Sequence, residues 1–172
     1  MPRLIALNGP PGCGKSTLAR RYAADHPPAL ALDVDVLLDL IGGDDLDVIG
    51  PLARAVALAA ARTHLAAGHD VVVPQFLGRP DFLERLEALA ADVGATYHEV
   101  VLCDTKANAI RRFTARGPVH PALSVTGAEL AAMHDRLTRL MATRHPAVVR
   151  SVEGDPTTTY RNLLTSLDAR ER

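Results

Sequence analysis

A chain of 172 residues fits one domain, and 48% apolar composition supplies a core that excludes wholesale disorder. Nineteen basic against twenty acidic residues leave a formal charge of −1, which argues against a protein that coats nucleic acid or anionic membrane. Two cysteines, Cys13 and Cys103, are too few for a disulfide framework, and with no signal-like opening or membrane-length apolar run a cytoplasmic domain with no membrane partner is expected.

Apolar runs alternate with helical patterns along the chain. Arg3–Leu7 predicts a short buried strand, followed by a Gly-rich turn and a helix over Lys15–Ala24. Ala29–Leu32 predicts a second strand ending in Asp33, and Asp35–Ile41 a short helical turn with Asp35 as a candidate N-cap. Gly42–Gly50 reads as an acidic loop, with Asp44, Asp45 and Asp47 solvated. Leu52–Ala67 is rich in helix formers and stops at Gly68. Val71–Val73 predicts a third strand, Asp81–Ala91 a helix and Tyr97–Leu102 a fourth strand. Asp104 is a candidate cap for a helix running to Arg116. Gly117–Pro121 interrupts the pattern, then Ala128–Arg144 predicts a helix, Val148–Val152 a last strand and Thr158–Leu167 a last helix.

Strands alternating with helices imply βαβ units and a parallel sheet covered on both faces, in one domain spanning 1–172. Ligands bind such sheets beyond the carboxyl ends of the strands. Directly after the first strand comes Gly9-Pro10-Pro11-Gly12-Cys13-Gly14-Lys15-Ser16-Thr17, the G-x-x-x-x-G-K-[ST] phosphate loop between a strand and a helix. Its glycines let the backbone bend so that amides converge on phosphate oxygens. Pro10 and Pro11 lack an N–H, so the donors are expected from Gly12 through Thr17. Lys15 is one of only two lysines in the chain and is placed to reach the β- and γ-phosphates, with the Ser16 hydroxyl placed for Mg²⁺. Cys13 could act as a redox switch at a helix N-terminus, but a passive small residue is the simpler reading.

The second strand runs into Asp33-Val34-Asp35. Beside a phosphate loop, one of these carboxylates can support Mg²⁺ through water and the other can accept the proton of an attacking hydroxyl. With the phosphate loop, this stretch resembles the P-loop small-molecule kinases. These include shikimate and gluconate kinases, chloramphenicol phosphotransferase and the kinase domain of polynucleotide kinase. Asp33-Val34-Asp35 is similar to the D-x-D of the shikimate kinases. Ala31–Leu38 resembles a stretch of chloramphenicol phosphotransferase in which the acid matching Asp35 is the base. The resemblance implies a three-layer sandwich around a five-stranded parallel sheet of order 2-3-1-4-5, with a helical lid at about residues 112–145. It also implies ATP rather than GTP, and no Asn-Lys-x-Asp guanine-reading sequence is found.

Many such relatives end the third strand with an acid, whereas here Val73 leads into Pro74-Gln75. Gln75 offers only neutral hydrogen bonds, so metal support falls to Ser16, Asp33 and water, and Gln75 and Arg79 become candidates for holding the acceptor. A loop anchored by Phe76 and Leu77 is the alternative. In the related kinases, lid arginines stack on adenine or clamp phosphates. The resemblance assigns that role to Arg112 and Arg116, which share a helix face, against a competing reading as solvated arginines. Arg136 and Arg139 on the next helix are weaker candidates. The seven scattered histidines, His120 in the lid among them, form no zinc pattern.

The resulting expectation is an ATP- and Mg²⁺-dependent phosphotransferase acting on a hydroxyl of a small molecule. A nucleic-acid 5′-hydroxyl kinase is one alternative, against which near-zero charge and the absence of an aromatic platform both count. The other is a nucleotide-binding switch or slow ATPase, for which the altered Pro74-Gln75 site speaks.

Overall fold

The computed structural model describes residues 1–116, 125–152 and 154–169. Among the described residues the elements follow in chain order: β1 (Arg3–Asn8), α1 (Lys15–Asp25), β2 (Leu30–Ala31), α2 (Val34–Leu40), α3 (Leu46–Ala66), β3 (Val71–Pro74), α4 (Asp81–Asp92), β4 (Thr96–Cys103), α5 (Lys106–Arg116), α6 (Gly127–Arg144), β5 (Ala147–Arg150) and α7 (Pro156–Asp168). All strand pairs are parallel and the sheet order is β2-β3-β1-β4-β5.

The two-residue period of a strand divides the core. On β1, Leu4 and Ala6 face one apolar cluster, while Ile5 and Leu7 face the other. Val71 and Val73 of β3 join Leu4 and Ala6 against α2, α3, α4 and α6. Val72 joins Ile5 and Leu7 against α1 and α7. Both faces of the central strands are thus buried, which is why their sequences read as continuous apolar runs. On α3, Ile49, Ala53, Ala57, Ala61 and Leu65 recur every fourth residue and form its buried stripe.

Several boundaries differ from expectation, each for a local reason. The acidic loop is shorter than the sequence implies, because α3 begins at Leu46 with Asp45 as its N-cap, accepting from the Asp47 amide at 3.0 Å. Pro51 lies inside this helix and masks its first turns in the sequence. Burial of Ile49 offsets the lost hydrogen bond. Asp33, rather than Asp35, caps α2, its Oδ1 accepting from the Asp35 amide at 3.2 Å. The α5 helix is capped by Thr105, whose hydroxyl accepts from the Asn108 amide at 3.2 Å, while Asp104 is engaged elsewhere. On α6, Thr126 and Glu129 form a reciprocal capping box. Leu137 and Leu140 then fix the helix in the core. Among the described residues no helix is long and apolar enough to cross a membrane.

Candidate active site

The phosphate loop is built where β1 meets α1. Gly14 precedes α1 in the left-handed conformation (φ 95°), and a Cβ there would meet nothing within 4 Å, so the loop stays open at this point. Gly12 serves packing: a Cβ would come 2.8 Å from the Ala109 carbonyl and 2.9 Å from the Phe113 nitrogen, so its absence lets α5 lie against the loop. The first helical bond of α1 runs from the Leu18 amide to the Gly14 carbonyl at 3.1 Å. The amides of Lys15, Ser16 and Thr17 therefore have no acceptor within the helix and form the donor end expected for an anion. The Cys13 amide turns towards the Pro10 carbonyl at 3.4 Å, which removes it from the run of donors expected from Gly12 to Thr17.

Lys15 is buried, and its ammonium donates to the carbonyls of Gly9 (2.9 Å) and Pro10 (3.0 Å). The charge thus sits over the loop, held by the two residues that precede the donors. Cys13 is 2% exposed within the apolar cluster beneath, as a packing residue would be. Burial pushes the pKa of the neighbouring Cys103 thiol above its ordinary value.

An open cavity of about 470 Å³ adjoins the loop. Gly12, Cys13, Gly14 and Thr17 form one wall, Arg112 and Ala115 of α5 another, and Ser151–Val152 with Gly154, Pro156 and Thr159 the third. The third wall is tied in place from both sides: the Ser151 amide donates to the Cys103 carbonyl at 2.7 Å and the Val152 amide to the Thr159 hydroxyl at 2.8 Å. Arg112 lines the cavity and is also ion-paired with Asp104, whose side chain is 4% exposed. Arg116 closes α5, its side chain outside the described residues, as are Gly117–Pro121 and His120 of the proposed lid.

On the other side of the loop, Asn8 connects the two halves of the site. Its carboxamide oxygen accepts from the amides of Gly9 (2.7 Å) and Leu77 (2.9 Å), and its nitrogen donates to the Leu77 carbonyl at 2.9 Å. The Gln75 amide donates to the Leu7 carbonyl at 3.2 Å. The segment after β3 is thereby registered on the phosphate loop. Gln75 then donates its side-chain amide to Asp35 Oδ1 at 3.0 Å. Asp35 and Gln75 line a cavity of about 310 Å³ with Arg54, Asp47 and Leu38, and Arg79 lies on the adjoining one.

Sequence reasoning missed Asn8 and Arg54. A polar residue at a strand end signals nothing without its partner 69 positions away, and Arg54 reads as one more exposed helical arginine. For Mg²⁺, the donor set fits: the Ser16 hydroxyl and the Asp33 carboxylate are hard oxygen ligands. Among the described residues no three His, Cys, Asp or Glu side chains cluster, so the remaining ligands would be phosphate oxygens and water.

A five-stranded parallel sheet of this order with a phosphate loop after β1 defines a P-loop, kinase-like fold. Residues 4–140 match the family described as AAA domain, and the chain belongs to that family. Among solved structures, the chain is similar to a gluconokinase from Sinorhizobium meliloti at 18% identity and a TM-score of 0.69, over 98% of this chain and 93% of that one. It is also similar to the tunicamycin resistance protein of Deinococcus radiodurans (17%, TM-score 0.66, 96% and 95% covered). A third is Kti12 of Chaetomium thermophilum, solved with ADP-AlF3 (15%, TM-score 0.68, 96% and 97% covered). No curated protein matches the sequence.

Proposed function

We propose that the protein transfers the γ-phosphoryl group of ATP to a hydroxyl of a small molecule. The observation that carries this reading is the Asp35 carboxylate held by Gln75 in a cavity registered, through Asn8, on the phosphate loop. A switch needs only the nucleotide side; a second cavity containing an oriented carboxylate is what a transferase adds. The Kti12 structure, with ADP-AlF3 bound to a similar fold, supports a nucleotide in the cavity formed by the loop, α5 and the turn before α7.

Bound Mg²⁺, held by Ser16, Asp33 and phosphate oxygens, would neutralise charge on the phosphates. The loop amides and Lys15 grip the β- and γ-phosphates, and Arg112 borders the remainder of the nucleotide. Asp35 orients the acceptor hydroxyl and takes its proton as the acceptor oxygen bonds to the γ-phosphorus. The bond between that phosphorus and the β–γ bridging oxygen breaks, ADP departs, and Asp35 returns the proton to solvent.

The test combines ATP·Mg²⁺ binding by calorimetry with a screen of small alcohols and a 5′-hydroxyl oligonucleotide for phosphorylated product. Binding that Lys15→Ala weakens, with ADP formed in step with a phosphorylated small alcohol, supports the reading. Transfer to the oligonucleotide alone identifies a nucleic-acid kinase, and hydrolysis without any phosphorylated acceptor identifies the switch.

A further inference from the structure

Helix α3 is apolar on the side that faces solvent as well as on the side that faces the core. Opposite its buried stripe, Val48, Leu52 and Val56 recur every fourth residue and are 57%, 51% and 49% exposed. Among the described residues, six of the nine exposed large apolar side chains belong to α2 and α3: these three, Leu46, and Val36 and Leu40 of α2, which packs against α3.

The polar groups of α3 do not relieve this face. Asp47 and Arg54 line the cavity that holds Asp35, and Arg62 is paired with Asp92 at 2.9 Å. The His64 ring meets the Pro28 carbonyl at 2.7 Å, and the Thr63 hydroxyl turns back to the Ala59 carbonyl at 3.0 Å. Apart from Arg54 at the cavity, the exposed residues from 48 to 59 are Val48, Pro51, Leu52, Ala55, Val56 and Ala59, with no charge among them. A surface helix ordinarily sets charged side chains opposite its core stripe, whereas a helix apolar on both sides is a buried one. Something covers this face.

We propose that the cover is a second copy of the chain, with two α3 helices packed antiparallel about a two-fold axis near Leu52. The stripe reads the same in both directions, Val-Leu-Val at equal spacing. An antiparallel copy therefore sets Leu52 against Leu52 and Val48 against Val56, the reciprocity that a two-fold interface requires. The charges are also complementary: Asp44 and Asp45 precede the stripe and Arg62 follows it. At about 1.5 Å per residue, Asp45 and Arg62 lie roughly 10 and 15 Å from Leu52, so the acidic end of one copy meets Arg62 of the other. Arg62 stays half exposed in its pair with Asp92 and has further donors to offer. The antiparallel arrangement sets the helix dipoles head to tail as well. A lipid surface matches less well, because helices that lie on membranes carry Lys and Arg beside their apolar face. Here Asp39, Asp44, Asp45 and Asp47 stand instead. The other flank of α3 gives Asp47, Gly50, Pro51 and Arg54 to the Asp35 cavity, so pairing braces one wall of it, whatever reaction occurs there.

Sedimentation velocity of the full chain over a concentration series tests the pairing. One helix pair is a small interface, so a dimer with a Kd in the roughly micromolar range is expected. Leu52→Glu puts two carboxylates together at the axis and should weaken association by about a hundredfold or more, with unchanged circular dichroism because the side chain lies outside the core. Cysteine crosslinking reads the orientation without relying on that variant. Val48→Cys mixed with Val56→Cys should form more disulfide dimer under mild oxidation than either protein alone. Asn162→Cys, exposed on α7 across the sheet, supplies the background. A monomer at every concentration, a dimer that Leu52→Glu leaves intact, or a mixture that crosslinks no better than Asn162→Cys would overturn the proposal. Anionic vesicles that bind the monomeric wild type but not Leu52→Glu would also overturn it, and would assign the face to a lipid surface.

Discussion

The side-chain amide of Gln75 donates to Asp35 Oδ1 at 3.0 Å, so the residue in the place of an expected acid orients the carboxylate that the sequence marks as the base. Both groups are only partly buried, and Asp35 stands in the first turn of α2. An acid at position 75 would face this carboxylate; the neutral amide binds it without repulsion.

Gln75→Glu should therefore change the pH dependence of transfer. Two carboxylates at hydrogen-bond distance do not ionise independently: the first proton lost makes loss of the second harder, raising one apparent pKa. A base must be ionised to act, so transfer at neutral pH should fall and recover as pH rises. A pH–rate profile coincident with that of the wild type would show that Gln75 does not face the reacting carboxylate.

Arg112 poses a question of charge balance on the nucleotide side. Arg112→Ala removes a cation from the cavity wall and leaves the 4%-exposed Asp104 without its ion pair. Both stability and ATP affinity should decline. In the double variant Arg112→Ala/Asp104→Ala, stability should largely return because no buried charge is stranded, while ATP affinity should stay low. Thermal melts and calorimetric ATP titrations on the same samples separate the two effects, and wild-type affinity in the double variant would remove Arg112 from the nucleotide site.

Arg144 is a prediction about the scaffold. It donates to Glu99 at 2.7 Å and to Glu87 at 2.8 Å, tying α6 to β4 and α4. Glu99 is 5% exposed, so Arg144→Gln strands a buried carboxylate. The variant should lose about 3 kcal/mol of stability, the lower end for breaking a buried pair. That corresponds to a fall in Tm of roughly 6–12 °C for a chain of this size. Glu99→Gln in the same background should recover part of the loss, as read by denaturant unfolding.

The alternation of strands with helices and the phosphate loop were legible because they are written in local patterns: short continuous apolar runs, glycines at fixed offsets, and a lysine in a chain with only two, whereas the sheet order was implied by the family resemblance. Asp35 was legible for the same reason, standing beside the loop in a recognisable run. The Asp104 role was not, because its partner lies eight residues on and competes with the cap that Thr105 supplies. Asn8 and Arg54 were invisible because their meaning lies in tertiary contacts among segments far apart in the chain. Arg116 and the segment 117–124 lie outside what the structure describes for side chains, so the lid expectation stands as it was read from the sequence.

Asp35→Asn tests the central claim most directly. Asparagine keeps the shape of the side chain but is a far weaker proton acceptor than a carboxylate. Single-turnover transfer from ATP·Mg²⁺ to an acceptor found in the screen should fall by roughly 10²–10⁴-fold, the usual contribution of a general base, while ATP affinity changes little. Full transfer rate in the Asp35→Asn protein would contradict the account.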